Sequence, residues 1–180
     1  ANIALFADAG YNTIVTVGFL MAEATTIAAE KYPDVKFIGV DQFNGGTSAN
    51  YSGLIFPEDK AGFIVGYLGG YLTKTGKTAA IAGGPDSIPP VRKFIEGFVA
   101  GVEYASQEQG KSYPKASSVY YTGANAFNDP AWGASTAQQY LDQDVDVIFS
   151  AGGKTGNGGL ARTAQKAGAY CIGVDTDQWD

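Results

Sequence analysis

Thr78-Ala-Ala-Ile-Ala-Gly-Gly-Pro85 and, six residues on, Val91-Arg-Lys-Phe-Ile-Glu-Gly-Phe-Val-Ala-Gly-Val102 decide the fold class. The first stretch is a short apolar run closed by two glycines and a proline, which reads as a buried strand ending in a turn. In the second, apolar residues fall at Val91, Phe94, Ile95, Phe98, Val99 and Val102. These offsets match one face of a helix with about 3.6 residues per turn. A strand feeding an amphipathic helix is the repeating unit of a parallel α/β layer.

The same alternation extends in both directions. Upstream, residues 13–17 read as a strand, 20–31 as a helix and 35–40 as a strand. A polar loop through Gly45-Gly46-Thr47 follows, then a short strand over 52–56 and an apolar helix from Glu58 to about Thr73. Downstream, strands are expected over 117–121, 145–149 and 170–174, and Asp129-Pro130 marks a helix start as N-cap and first helical residue. The fold class is therefore α/β, with parallel sheets covered by helices. The turn Lys74-Thr75-Gly76-Lys77 suggests a lobe boundary near Gly76, with 1–76 in a first lobe and 77–180 in a second. Glycines 62, 66 and 70 lie four apart on the apolar helix and read as close helix packing. Gly18, Asp41, Gly83, Gly123, Gly152 and Asp175 each follow a strand, and the carboxyl ends of parallel strands are where ligands bind.

Composition narrows the function. With 45% apolar residues among 180, the chain can bury a sizeable core as one large domain or two small ones. A net charge of −6, with only 12 basic residues, argues against a nucleic-acid partner. The absence of histidine removes the commonest general base and the commonest metal ligand together. Cys171 is the only cysteine, so no internal disulfide and no Cys/His zinc cluster can form. No catalytic residue, metal or cofactor is expected. The apolar stretch 61–72 falls short of the roughly 20 residues that span a bilayer. Ala1-Asn2-Ile3 lacks the basic start of a signal peptide, so a mature or trimmed product is expected.

The glycine-rich stretch 152–159 reads as a strand-to-helix loop, either a flexible turn or, since five glycines exceed what a turn requires, a backbone that approaches a ligand closely. A P-loop is rejected, because Ile148 and Tyr71 stand where the two partial motifs need glycine. Gly156-Asn-Gly-Gly-Leu-Ala161, with Asp175 further on, fits a dinucleotide fingerprint and leaves a nicotinamide-dependent oxidoreductase as an alternative. Asp175 could take the two hydroxyls of a ribose diol, or simply form a turn or cap. Phe127 could stack on a planar base or pack into the core, and Phe19 raises the same question.

These residues carry a resemblance to a family. The matching stretches include Thr13-Ile-Val-Thr-Val-Gly-Phe-Leu20, Lys31-Tyr-Pro-Asp-Val-Lys-Phe37 and Ala61-Gly-Phe-Ile-Val-Gly-Tyr-Leu-Gly-Gly70. Others are Leu72-Thr-Lys-Thr-Gly-Lys77, Val91 to Gly101 and, most specific, Ile172-Gly-Val-Asp-Thr-Asp-Gln178. In this order the chain resembles the basic membrane protein family, purine-nucleoside-receptor-like substrate-binding lipoproteins of bacterial ABC transporters. The resemblance implies a periplasmic-binding-protein type I fold, two Rossmann-like lobes closing on a nucleoside, and a chain matching the family's central portion. It implies that Asp175 binds ribose hydroxyls, that Phe127 stacks on the base, and that Glu23 or Asp41 reads the base edge. Phe19, Gly152 and Gly153 would line the same cleft. The implied partner is a membrane permease, the implied location is extracytoplasmic, and open sheet edges carry a risk of self-association. A ligand-sensing module of a regulator is the main alternative.

Overall fold

A computed structural model describes residues 2–46 and 48–178. Thr47, in the expected polar loop, lies outside the described residues, as do Ala1, Trp179 and Asp180. The chain forms two compact units, Ala1–Phe56 and Pro57–Asp180.

The first unit runs α1 (Asn2–Asp8), β1 (Thr13–Val17), a 3-10 turn (Phe19–Met21), α2 (Ala22–Lys31), β2 (Lys36–Val40) and β3 (Tyr51–Leu54). Its three strands form a parallel sheet in the order β1-β2-β3, with Val17 paired to Val40 at the carboxyl edge. β1 buries Ile14 and Thr16 and exposes the residues between, so one sheet face carries the core of Ile3, Ile14, Ala28, Ala29, Phe37 and Tyr51. The Asn50 amide donates to the carbonyls of Ala29, Tyr32 and Val35 at 3.0, 3.0 and 2.9 Å, tying the end of α2 and its turn to the start of β3. Helix α1 carries no strong sequence signal and was not expected.

The second unit contains α3 (Glu58–Leu72), β4 (Thr78–Ala82), α4 (Pro89–Glu108), β5 (Ser117–Tyr120), α5 (Pro130–Leu141), β6 (Val147–Ala151), α6 (Gly153–Ala164) and β7 (Tyr170–Ile172). Its four strands are all parallel, in the order β5-β4-β6-β7. Every residue of β4 and β6 is buried, as expected of central strands covered on both faces. Ala80, Ala82, Phe149 and Ala151 face a cluster with Val91, Ile95, Phe98 and Val102 of α4. Ala79, Ile81 and Ile148 face Ala137 and Leu141 of α5. The turn at Gly76, where the sequence pattern places a lobe boundary, follows α3 inside this unit.

Besides the unexpected α1, β3 and β7 each end two residues earlier than expected, and two further elements differ. β6 begins at Val147 rather than 145, and the side chain of Asp146 just before it binds the loop after α3. The stretch 153–159 is the first part of α6, not a loop. Its glycines serve packing: a Cβ at Gly158 would run into the Pro130 carbonyl, and one at Gly159 would lie 2.5 Å from Ser150 Oγ. The dinucleotide fingerprint therefore falls inside a helix instead of at a strand-to-helix turn, which removes the geometry it needs.

Burial pushes the phenols of Tyr51, Tyr120 and Tyr140 up from their ordinary value. In the unfolded chain they release protons near pH 10, while the folded chain still holds them. The resulting stabilisation is complete below that pH and is lost as pH rises through the higher folded values. Urea midpoints should fall between about pH 10 and pH 11.5; a midpoint that rises over this interval contradicts the burial of these rings.

Candidate functional site

Each unit gathers its expected binding residues at the carboxyl edge of its own sheet. In the first unit, Gly18 N–H donates to the Val40 carbonyl at 2.9 Å, which extends the β1–β2 pairing by one residue. Gly18 then turns with φ 97°, and Phe19 opens the 3-10 turn. Phe19 is half-buried, and Glu23 is exposed in the first turn of α2. Asp41 follows β2 with φ 60° and is half-buried. Phe19, Glu23 and Asp41 thus share one edge, on the connections leaving two adjacent strands.

In the second unit, the loops after β4, β5 and β6 are bonded to one another. Gly83 N–H donates to the Ala151 carbonyl at 2.7 Å, and Phe127 N–H donates to the Gly83 carbonyl at 2.7 Å. Lys154 N–H, in the first turn of α6, donates to the Phe127 carbonyl at 2.9 Å. The Phe127 peptide is held on both sides by strand-end loops. Its ring is half-buried, packs against the cluster under β4 and β6, and lies over Gly84, where a Cβ would run into it. A Cβ at Gly153 would come within 2.8 Å of the Phe127 carbonyl oxygen. Gly152 and Gly153 have φ of 148° and 52°, conformations that favour glycine.

The expected N-cap Asp129, together with Tyr121 and Thr155, fixes this loop. Asp129 caps α5 by accepting from Trp132 N–H at 2.9 Å and also accepts from the Tyr121 hydroxyl at 3.0 Å. Asp129 N–H donates to the fully buried Thr155 hydroxyl at 2.9 Å, joining the loop to α6. Burial, with the Asp129 bond second, raises the Tyr121 phenol above its ordinary value. Only the Asp-Pro cap was legible in advance, since the Tyr121 and Thr155 contacts depend on elements far apart in sequence.

Asp175 lies two residues beyond Gly173, past the end of β7, with φ 71° and an exposed side chain. Its turn is secured by Gln178, whose side-chain oxygen accepts from Val174 N–H at 2.8 Å and whose amide donates to Asn157 of α6 at 2.7 Å. Asp175 heads no helix, so the capping role open to it from sequence does not occur. Asp177 lines a shallow pocket with Leu160, Cys171, Gly173, Thr176 and Gln178. Among the described residues, no group of three acidic, Cys or His side chains is placed to hold a metal. Nor is any helix among them long and apolar enough to cross a membrane.

Two all-parallel sheets flanked by helices, with glycine-shaped loops at their carboxyl edges, are the α/β architecture of the periplasmic-binding-protein type I fold. The chain belongs to the family of ABC transporter substrate-binding proteins of the PnrA-like type, whose pattern matches residues 1–180. It is 32% identical to basic membrane protein A of Borreliella burgdorferi over 174 residues, covering 95% of this chain and 48% of that protein. It is 33% identical over 147 residues to an uncharacterized lipoprotein of Pyrococcus abyssi, covering 81% of this chain and 35% of that one. Among solved structures, an ABC transporter solute-binding protein from Aeropyrum pernix K1 is 30% identical with a TM-score of 0.84, covering 97% of this chain and 49% of that one. A transcriptional activator of the comK gene from Bacillus halodurans is 25% identical with a TM-score of 0.77, covering 98% of this chain and 56% of that one. The chain spans about half the length of the first of these relatives.

Proposed function

We propose that the protein captures a nucleoside, with a purine as the expected base, and delivers it to an ABC permease without chemical change. The observation that carries this reading is backbone strain at the expected contacts. Among the described residues, four non-glycine residues have positive φ, and three of them are Asp41, Phe127 and Asp175. A left-handed conformation costs on the order of 1–3 kcal/mol where the residue is not glycine, and such positions cluster at ligand sites. Aspartate tolerates it better than most residues, but phenylalanine does not. The Phe127 ring offers a face to a flat base, and an exposed Asp175 can accept from both hydroxyls of a ribose. Phe19 and either Glu23 or Asp41 supply the corresponding aromatic and acidic groups of the first unit. The relatives named as lipoproteins support a location outside the cytoplasmic membrane.

Titration calorimetry of the intact gene product with guanosine, adenosine, inosine, uridine, ribose and glucose tests the ligand class. The expected result is micromolar or tighter binding of a purine nucleoside and at least a hundredfold weaker binding of either free sugar. Tight binding of a free sugar with no heat from any nucleoside overturns it. The similarity to a transcriptional activator favours a second reading, the ligand-sensing part of a regulator; a helix-turn-helix in the intact gene product would support it.

A further inference from the structure

We infer that Gln42, acting with Thr25, is a positioning residue for the first unit's binding loop, an inference that rests on the ligand-binding role proposed for that loop. Gln42 directly follows Asp41, whose left-handed turn precedes it, and its side chain is 1% exposed. Its amide nitrogen donates to the Gly18 carbonyl at 3.0 Å. Its oxygen accepts from the Tyr51 hydroxyl at 2.7 Å and from the Thr16 hydroxyl at 3.3 Å. Thr25 donates to the Met21 carbonyl at 2.9 Å, so Thr16 is the donor in the 2.8 Å bond between the two hydroxyls and shares its single proton between Thr25 and the Gln42 oxygen. The chain of bonds therefore ends on the carbonyls of Gly18 and Met21, the two ends of the segment that carries Phe19.

The surrounding sequence makes room for this arrangement. A Cβ at Gly39 would run into the Gln42 side-chain oxygen, and one at Gly53 would run into the Gln42 carbonyl. Thr16, Thr25, Gln42 and Tyr51 are each no more than 3% exposed. Burying four polar side chains is costly unless each finds a partner, and an apolar set of similar volume fills a core without that demand. What the polar set adds is direction: it fixes where Gly18 and Met21 point, and with them the Phe19 backbone and the first turn of α2, which carries Glu23.

The test uses the intact gene product carrying Gln42→Met, Thr25→Val or Thr25→Ser, read by local amide hydrogen exchange and by nucleoside titration. Gln42→Met keeps the volume and removes all three side-chain hydrogen bonds, Thr25→Val removes the hydroxyl, and Thr25→Ser keeps it. Expected are at least tenfold faster exchange over 18–22 in Gln42→Met and Thr25→Val, with β2 amides unchanged, and about tenfold weaker nucleoside binding. Thr25→Ser should restore both readouts to within threefold. Faster exchange spread evenly over the first unit, unchanged exchange at 18–22, or loosened exchange with unchanged affinity each overturns the inference. If the unsubstituted protein binds no nucleoside, the proposed function fails by itself, and the exchange result still decides whether Gln42 and Thr25 hold the loop.

Discussion

Gly66→Leu should lower the stability of the second unit by at least about 3 kcal/mol, because α3 and α4 touch through backbone. A Cβ at Gly62 would run into the Phe94 carbonyl and one at Gly66 into the Phe98 carbonyl. The contact is reciprocal, since Cβ atoms at Gly97 and Gly101 would run into the carbonyls of Asp59 and Phe63. Replacing glycine inside a helix ordinarily gains up to about 1 kcal/mol in propensity. That gain cannot offset the separation of two helices, so the clash decides the sign. Denaturant unfolding checks it, with Gly110→Ala as control: Gly110 has φ 65° and nothing within 4 Å of an added Cβ. The control should cost only about 1 kcal/mol of backbone strain. A Gly66→Leu protein as stable as the original would contradict the α3–α4 packing.

Asp146→Ala should cost about 3–5 kcal/mol, the second large effect, because one carboxylate organises the connection between α3 and β4. Asp146 is 9% exposed and accepts from the Thr73 hydroxyl at 2.5 Å, Lys74 N–H at 2.7 Å and Thr75 N–H at 3.1 Å. Thr73 in turn accepts from Gly76 N–H at 2.9 Å, which closes the turn. Hydrogen bonds to a charged group are each worth about 1.5–3 kcal/mol, and their loss leaves the hydroxyl of the buried Thr73 without its acceptor. Asp146→Asn keeps the shape but not the full set of acceptor sites, and should cost about half as much. Equal stability of the Ala and Asn proteins would show that the side chain's volume, not its acceptors, matters.

Asp146 also shows where sequence reading stops. Local sequence pattern placed the seven strands and helices α2, α3 and α4, and the Asp129-Pro130 cap placed the start of α5, because elements such as β4 and α4 carry their signal locally. The role of Asp146 was illegible, since its partners lie about 70 residues away. Residues 153–159 were misread as a loop because glycine is a poor helix former, and its value here is contact with α5, which no local pattern reveals. Asp41, Phe127 and Asp175 were legible as strand-end residues of suitable chemistry, but their left-handed backbone was not. The Gln42 network was invisible for the same reason as Asp146: buried polar groups look like surface residues until their partners are known.

The most direct test of the central claim is calorimetric titration of the intact gene product with guanosine and its 2′,3′-dideoxy counterpart, repeated with Asp175→Ala. The original protein is expected to prefer guanosine by at least tenfold, about 1.4 kcal/mol, because the dideoxy ligand leaves the Asp175 carboxylate without its hydroxyl donors. Asp175→Ala should bind guanosine at least tenfold more weakly and no longer distinguish the two. Equal affinity of the original protein for both ligands, or a preference that survives Asp175→Ala, would contradict the assignment of Asp175 to the ribose.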